Sequence, residues 1–333
     1  MPGKENYRRD WMSKLKLCID VGGTKTAYGL LDDENHIVYR FQTPTPLEIM
    51  PDEFTEKIYT ETDEVLKNFG CAREELSGVA VGMPSYVDYE NGIVVTSGSI
   101  HNIKNYPARA VLEKKFPGIP VLIDGDTNMA ALAEHYLGSG QGFPHMVYVA
   151  LSTGLGTGFI IDGRLFRGSY GGAGESGHMI ITPGEGLTDG CGNPGCFMSY
   201  ACGSYIVKHA VNAIESGIPS SLKDMVSDLS ELTAKHIAEA YKQGDSLAEK
   251  LMKQLISYSA LHIYNLFIAF NINCYVCGGG LTNMGDFFLE RIQEEADRLN
   301  KQENQKIYIK KAALGGDNGL LGCGIALDLA LKQ

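Results

Sequence analysis

The sequence predicts an α/β protein made of two related domains around a common cleft. The first observation is a block of three consecutive strands followed by alternating helices and strands, and the second is that this order recurs in the other half of the chain. The third is a glycine-rich turn after the first strand of each block. Because ligands of such folds bind where strands end in glycine-rich loops, the two turns predict one shared site.

The first half opens with three strands. Residues 15–21 alternate apolar and polar side chains, a tight glycine turn follows, and two further strands come next along the chain, at residues 27–32 and 36–43. Helices and buried strands then alternate. The predicted helices cover residues 52–68, 107–116 and 128–138, and the predicted buried strands cover residues 77–84 and 119–124.

The second half repeats the opening. Its three predicted strands cover residues 146–152, 156–162 and 163–169. The helices predicted after them cover residues 203–217, 230–243, 246–270, 286–301 and 319–331, and the strands cover residues 272–280 and 306–312. We therefore expect an N-terminal domain over residues 15–125 and a C-terminal domain over residues 126–314.

Residues 1–14 are charged and lack the apolar core of a secretory signal, so we expect a tail there, with a short docking arm as the alternative. No apolar run reaches the roughly 18 residues of a membrane span. The net charge of -11 argues against nucleic-acid binding, although backbone amides at glycine-rich turns bind phosphate without net positive charge. Eight cysteines are too few for a disulfide scaffold, so we expect a cytoplasmic protein.

The turn from Asp20 to Lys25 has the composition of a phosphate site. Gly22 and Gly23 let backbone amides face a phosphate, Thr24 supplies a hydroxyl, and Asp20 at the strand end is suited to a hydrated Mg²⁺. An ordinary glycine hairpin gives the same spacing and stays open as the alternative.

A second turn stands at the equivalent place of the other half, within residues 151–158, and includes Thr153 and Gly154. Two matching turns predict a polyphosphate bound from both sides. Gly279 lies in a third glycine run, residues 278–282, which suits a base or ribose, although a plain strand-to-helix loop reads the same.

Asp126 follows a predicted buried strand and precedes an alanine-rich helix. A carboxylate at that strand end could accept a proton from an attacking hydroxyl. Its alternative role is that of a helix N-cap, for which aspartate is well suited.

The segment from residue 171 to 196 combines glycines with groups that bind metals. Glu175 and His178 come first, and Cys191 and Cys196 follow after a polar loop. Structural zinc takes four ligands, so His178 and the two thiols would need a fourth, for which Asp189 is the candidate. A satisfied histidine beside two free thiols is the other interpretation.

Taken together and in this order, seven motifs resemble the ROK family (repressor, open reading frame, kinase). The resemblance runs from about residue 15 to the end of the chain. The motifs are DVGGTK at 20–25, GMP at 82–84, DGDTN at 124–128, LSTGLGTG at 151–158, GESGH at 174–178, CGNPGC at 191–196 and GGG at 278–280.

The resemblance implies an actin-like ATPase (ribonuclease H-like) fold and ATP-dependent phosphorylation of a sugar, usually at the 6-hydroxyl. It implies ATP, Mg²⁺ and a structural Zn²⁺ as cofactors, and a homodimer by analogy. Residues 315–333 would pack back on the N-terminal domain. The matched positions carry over as follows: Asp126 as the base, Glu175 and His178 as sugar ligands with His178 also on zinc, Asp20, Thr24, Thr153 and Gly154 at the phosphates and magnesium, and Gly279 at the adenosine.

Four positions depart from the family pattern. Family kinases usually have Asn before the base, where this chain has Gly125, and Pro-Asn where it has Gly98-Ser99. They usually carry Glu where this chain has Met198, and a zinc-site cysteine where it has Asp189. Because Gly125, Ser99 and Met198 stand at sugar-contacting positions, we expect a substrate other than glucose, such as allose, an N-acetylated hexosamine or a larger glycoside.

Other functions are less well supported by the sequence. A sugar-responsive repressor of this family carries a DNA-binding helix-turn-helix before the first phosphate turn, whereas only 19 residues precede Asp20 here. A non-catalytic sugar-binding relic fits the altered sugar pocket, but would not require Asp126 and both phosphate turns. No strand leads into the G-x-G-x-x-G pattern of an NAD-dependent oxidoreductase.

Overall fold

A computed structural model describes residues 14–332, so the predicted tail at residues 1–14 falls almost entirely outside it. Two five-stranded sheets, a three-stranded sheet and the helices around them make up the described chain. None of the helices within this range has the length and hydropathy of a membrane span.

The strands and helices are named here in chain order, leaving aside short 3₁₀ turns. The strands are β1 Leu15–Val21, β2 Lys25–Leu31, β3 Ile37–Pro44, β4 Leu76–Met83, β5 Ser85–Asp88, β6 Ile93–Ser97, β7 Lys104–Tyr106, β8 Val121–Gly125, β9 Met146–Leu151, β10 Leu155–Ile161, β11 Arg164–Phe166, β12 Cys274–Gly278 and β13 Tyr308–Lys311. The helices are α1 Pro51–Phe69, α2 Ala108–Lys115, α3 Asp126–Tyr136, α4 Met198–Ala201, α5 Gly203–Glu215, α6 Ala234–Lys242, α7 Ser246–Phe270, α8 Asp286–Leu299 and α9 Asn318–Leu331.

The two large sheets have the same strand order. The first runs β3-β2-β1-β4-β8 and the second runs β11-β10-β9-β12-β13. In the first sheet, β1 pairs antiparallel with β2 and parallel with β4. In the second sheet, β9 pairs in the same way with β10 and β12. The repeated topology means that the turn after β1 and the turn after β9 occupy equivalent positions in two related sheets.

The chain divides into two compact units, each with its own apolar core. Within the described range, unit 1 contains residues 14–136, 167–172 and 316–332, and unit 2 contains residues 137–166 and 173–315. In unit 1 the central strand β1 is buried on both faces, as expected of a strand covered by helices. In unit 2 the 25-residue helix α7 supplies much of the core.

Helix α9 packs within unit 1. Leu320 lies against Gly29 of β2, and Leu327 lies against Gly78 of β4. Close to α9, the buried Lys16 ammonium donates to Asp328 and to Asn35 over 2.7 and 2.8 Å. These contacts hold the last helix on the first sheet, beside the strand that carries Asp20.

Three features of the fold were not predicted, the first being the short helix α4. Strands β5, β6 and β7 form a separate small sheet from a stretch to which the sequence analysis assigned no element. Helix α6 begins at Ala234 rather than near residue 230, because the Thr233 side chain caps it by accepting a hydrogen bond from the His236 N–H.

Candidate active site

The turn between β1 and β2 is tight and exposed. Gly22 N–H donates to the Lys25 carbonyl over 2.9 Å, and a Cβ added at Gly22 would lie 3.1 Å from that oxygen. Gly23, Thr24 and Lys25 are exposed, so their donors are accessible to a ligand. Ser99 lies beside this turn, since a Cβ added at Gly23 would come within 3.2 Å of its hydroxyl.

Asp20, at the end of β1, lies against the first turn of α9. A Cβ added at Gly319 would come within 2.3 Å of the Asp20 carboxyl carbon, so only glycine allows this approach. Burial raises the pKa of Asp20 to about 6, although the charges of Lys25 and Arg40 oppose the shift. The positive end of the helix dipole favours a carboxylate at this position.

Asp124 and Asp126, at the junction of β8 and α3, have different environments. Asp124 is buried, and its carboxylate accepts three hydrogen bonds of 2.7 Å, from Gly125 N–H, Asn128 Nδ2 and Arg167 Nε. Asp126 is half-buried, and its Oδ1 accepts from Thr127 N–H over 2.7 Å. Asp124 therefore fixes the junction, while Asp126 is the carboxylate that a reactant can reach.

Gly125 leaves room beside this junction. A Cβ added there would meet the Ser85 carbonyl at 3.5 Å and Asn128 Nδ2 at 3.7 Å, which are ordinary contacts. The backbone of Gly125 does not lie in the left-handed region. Since neither packing nor backbone geometry requires glycine, its effect is to leave out a side chain next to Asp126.

Arg167 was missed by the sequence analysis. Its Nε pairs with Asp124, and its guanidinium lies 3.7 Å above the ring of Tyr89. The pair joins residues 43 positions apart. No local pattern in the sequence could have indicated it.

The second glycine-rich turn, after β9, is held by the start of α5. Ser152 N–H donates to the Gly154 carbonyl over 3.0 Å. The carbonyls of Ser152 and Thr153 accept from the N–H groups of Gly203 and Ser204 over 2.7 and 3.1 Å. The turn is therefore fixed in position by helix α5.

A cavity of about 830 Å³ opens next to this turn, entirely within unit 2. Its volume falls within the range of small-molecule sites. Gly279 directly precedes the lining residue Gly280. It has φ +92°, and a Cβ there would meet the Leu151 carbonyl at 2.5 Å, so glycine is required. Cavity-lining residues that the sequence analysis did not find belong to α5, to α6 and the residues just before it, and to the end of the 280–284 turn: Lys208, Leu232, Thr233, Lys235, Glu239, Lys242, Asn283 and Met284.

Glu175 and His178 lie together on the loop after β11. The Glu175 Oε2 and His178 Nε2 atoms are 3.8 Å apart, and the Glu175 side chain is 55% exposed. The pKa of Glu175 is raised, because the effect of its burial is larger than the opposing effect of the neighbouring His178. The pair presents an acceptor and an imidazole to the same region of unit 2.

His178, Asp189, Cys191 and Cys196 form a cluster. Their candidate ligand atoms all lie within 4.8 Å of one another, with the two sulfurs 3.5 Å apart and His178 Nδ1 2.9 Å from Asp189 Oδ2. Burial raises the pKa of Asp189, but hydrogen bonds from Cys191 and His178 outweigh burial and lower it. Two thiols, an imidazole and a carboxylate at this spacing fit a four-coordinate zinc ion.

Met198 fills the space between two loops of unit 2. Its sulfur lies 3.2 Å from the Leu155 N–H, and its terminal methyl would lie 3.3 Å from a Cβ added at Gly177. A Cβ added at Gly154 would also meet the sulfur at 3.5 Å. Met198 thus contacts both the glycine-rich turn after β9 and the loop that carries His178.

The sequence model of the ROK family matches residues 16–332. A glucokinase of Streptomyces coelicolor is 31% identical over 323 residues, which cover 95% of this chain and 97% of that protein. A beta-glucoside kinase of Listeria innocua is 28% identical over 274 residues, 81% of this chain and 84% of that protein. Among solved structures, a ROK family glucokinase from Streptomyces griseus in complex with glucose and AMPPNP has a TM-score of 0.80 and 29% identity, covering 96% of this chain and 100% of that one.

Proposed function

Since this chain belongs to the ROK family and has its actin-like ATPase fold, we propose that it is an ATP-dependent kinase of a hexose or hexose derivative. The reaction is phosphoryl transfer to a sugar hydroxyl, in our proposal the 6-hydroxyl, with Asp126 as the general base. ATP and Mg²⁺ are the expected cofactors.

The observation that carries the proposal is the pair of equivalent turns in two sheets of the same strand order. One turn has exposed donors at Gly23, Thr24 and Lys25, and the other, at Thr153 and Gly154, adjoins a cavity large enough for a nucleoside. Such a pair is suited to the phosphates of ATP, with the adenosine in the cavity beside Gly279.

Residues of the chain then have distinct roles. The turn amides and Thr24 hold phosphate oxygens, Asp20 holds the hydrated Mg²⁺, and Glu175 and His178 orient the sugar. Asp126 accepts the hydroxyl proton as the sugar oxygen forms a bond to the γ-phosphorus, and the bond from that phosphorus to the bridging oxygen breaks to release ADP. When bound, Mg²⁺ neutralises charge on the phosphates.

We propose further that the preferred sugar is not glucose. Gly125 leaves room next to Asp126, and Met198 offers a thioether in place of a carboxylate. These features fit an epimer such as allose, an N-acetylated hexosamine or a glycoside. The likeness to a beta-glucoside kinase supports the last of these.

A coupled assay over a sugar panel tests both proposals. The panel contains glucose, mannose, allose, N-acetylglucosamine, N-acetylmannosamine and cellobiose, and phosphorus NMR of each product identifies the modified hydroxyl. We expect one sugar other than glucose to exceed glucose in kcat/KM by about tenfold or more. Glucose as the best substrate would refute the specificity proposal and leave the kinase proposal intact.

The variant Gly125→Asn tests whether the absence of a side chain at this position determines the preferred sugar. It adds an amide where family kinases have one, so we expect relative kcat/KM to shift toward glucose by about five- to tenfold. Gly316→Asn is the matched control, because nothing lies within 4 Å of a Cβ there and its backbone, like that of Gly125, is not left-handed. An unchanged preference in Gly125→Asn would mean that this space does not contact the sugar.

We propose that His178, Asp189, Cys191 and Cys196 hold a structural zinc ion that ties down the loop carrying His178. Metal analysis of the purified protein should give about one zinc per chain. Asp189→Ala should lose most of that zinc, while Glu185→Ala, outside the cluster, should keep it. A full zinc complement in Asp189→Ala would remove Asp189 from the ligand set.

A non-catalytic sugar-binding protein is the second candidate, because Met198 and Gly125 alter the sugar pocket. It predicts no ADP release with any sugar of the panel, together with sugar binding measured by calorimetry. A sugar-responsive regulator predicts the same silence, and would differ by binding a protein or DNA partner when the sugar is added.

A further inference from the structure

The loop that carries Glu175 and His178 is attached to the interior of unit 2 by a chain of hydrogen bonds. His262 Nε2, on helix α7, lies 2.8 Å from the Ser176 hydroxyl oxygen. That oxygen lies 2.9 Å from the Thr157 hydroxyl oxygen, and Thr157 Oγ1 donates to the Gly174 carbonyl over 2.9 Å. His262, Ser176 and Thr157 are all buried.

All three contacts are hydrogen bonds at once in only one arrangement of the protons. Thr157 has a single hydroxyl proton, which it gives to the Gly174 carbonyl, so its oxygen must accept from Ser176. Ser176 has likewise given its only proton, so its oxygen must accept from His262 Nε2–H. The network therefore fixes the neutral Nε2–H tautomer of His262.

The same loop is packed tightly against β10 on both sides of Ser176. A Cβ added at Gly174, whose φ is +106°, would lie 2.1 Å from the Thr157 carbonyl. A Cβ added at Gly177 would lie 2.2 Å from the Leu155 carbonyl. Because the backbone lies so close to the strand, the hydrogen bond to Ser176 helps to fix the position of the loop on β10. The position of the loop in turn determines where the side chains of Glu175 and His178 lie.

The hydrogen bond to Ser176 is the one polar contact of the His262 ring in the described chain. Its Nδ1 has no hydrogen-bond partner within residues 14–332, and the ring packs edge-on against Phe197 at a centroid distance of 5.1 Å. Burying a polar ring among apolar neighbours is unfavourable unless it is hydrogen-bonded. Its one bond, to Ser176, is therefore what distinguishes His262 from an apolar side chain.

We infer that His262, acting through Ser176 and Thr157, is a positioning residue for the loop that presents Glu175 and His178. The inference rests on the proposed function only in treating those two side chains as sugar ligands. His262 itself touches no reactant: it determines where the sugar ligands stand.

The tautomer is measured first, because it does not depend on activity. A long-range proton–nitrogen correlation of the histidine rings in the intact protein should show His262 as the Nε2–H form. In Ser176→Ala that preference should weaken, since the acceptor is gone. Observation of the Nδ1–H form in the unaltered protein would overturn the directional chain.

Kinetics with the best sugar of the panel test the positioning role. His262→Met places an apolar side chain of similar length at this position and removes the hydrogen-bond donor. It should raise the sugar KM about tenfold, while the ATP KM changes less than about twofold. His262→Gln places an amide N–H near the position of Nε2 and should restore most of the sugar KM. Ser176→Ala should resemble His262→Met.

Ser259→Ala is the matched control on the same helix. Its hydroxyl is buried and has no hydrogen-bond partner in the described chain, so its removal should leave the sugar KM unchanged. If His262→Met lowers Tm but shifts the sugar KM no more than Ser259→Ala does, the network is only structural and the inference fails. If the unaltered protein phosphorylates no sugar, the proposed function fails, and the tautomer measurement still decides the network.

Discussion

The two aspartates at the junction of β8 and α3 differ in what surrounds them. Asp124 is buried and accepts three hydrogen bonds, whereas Asp126 is half-buried at the first helical position. A substitution at each should therefore affect a different property, and this contrast separates catalysis from stability within three residues of chain.

Replacing Asp126 with Asn removes the proposed proton acceptor and keeps the shape. We expect kcat to fall by about 10²–10⁴-fold with the sugar KM changed less than about threefold, measured by the coupled assay. Asp124→Asn is the comparison, and should lower Tm because Arg167 loses its buried partner. A kcat for Asp126→Asn within a few-fold of the original would exclude Asp126 as the base.

His262 should also make stability depend on pH. Burial lowers the pKa of His262 from 6.5 to about 3, so between these values the unfolded chain binds a proton that the folded chain does not. Folding free energy is then lost as pH falls below about 6.5, by up to about 1.4 kcal/mol for each pH unit.

Urea unfolding at about pH 6 and about pH 5 measures this effect. His262→Gln cannot titrate, so its stability should fall less between the two values, by about 1 kcal/mol. Other groups titrate in both proteins and cancel in the comparison. Equal losses in the two proteins would show that His262 is not held neutral.

At the scale of elements, α9 and α3 approach so closely that one glycine is required. A Cβ added at Gly322 would lie 1.9 Å from the Met129 carbonyl of α3. Helix α3 begins at Asp126, so the same contact determines where the proposed base stands.

Gly322→Ala tests this contact. Alanine is the better helix former by about 1 kcal/mol, so the substitution would stabilise an open helix. Here we expect it to destabilise by about 1–3 kcal/mol in denaturant unfolding, because the helices must move apart, and to lower kcat. Gly316→Ala, where a Cβ would meet nothing within 4 Å, should stay within about 0.5 kcal/mol of the original protein. A gain in stability for Gly322→Ala would contradict the close packing.

For the whole molecule, the division into two units makes a prediction about the nucleotide. The cavity beside Gly279 belongs to unit 2 alone. Hydrogen exchange with and without a non-hydrolysable ATP analogue should therefore show protection at α5, α6 and residues 280–284. We expect the same segments to be unaffected by sugar alone. Absence of protection in them with the analogue would move the adenosine site elsewhere.

Much of the architecture could be predicted from the sequence. The period-two pattern of residues 15–21 identified β1, the family resemblance predicted the fold, and the family match over residues 16–332 confirms that resemblance. The positions proposed for the phosphates, the base and the zinc are contiguous motifs, and contiguous motifs can be recognised without knowledge of the fold. The small sheet β5-β6-β7 was missed, because short, half-buried strands lack a clear period.

The sequence by itself determined the order of the longer elements, the two glycine-rich turns and the residues that could carry the chemistry, because hydrophobic period and turn composition are local properties. Only the tertiary structure decided that Arg167 pairs with Asp124, that His262 bonds Ser176 over a separation of 86 residues, and which helices line the cavity. The physical reason is that these groups are polar and partly or fully buried, so their partners are selected by which surfaces the packed core brings together.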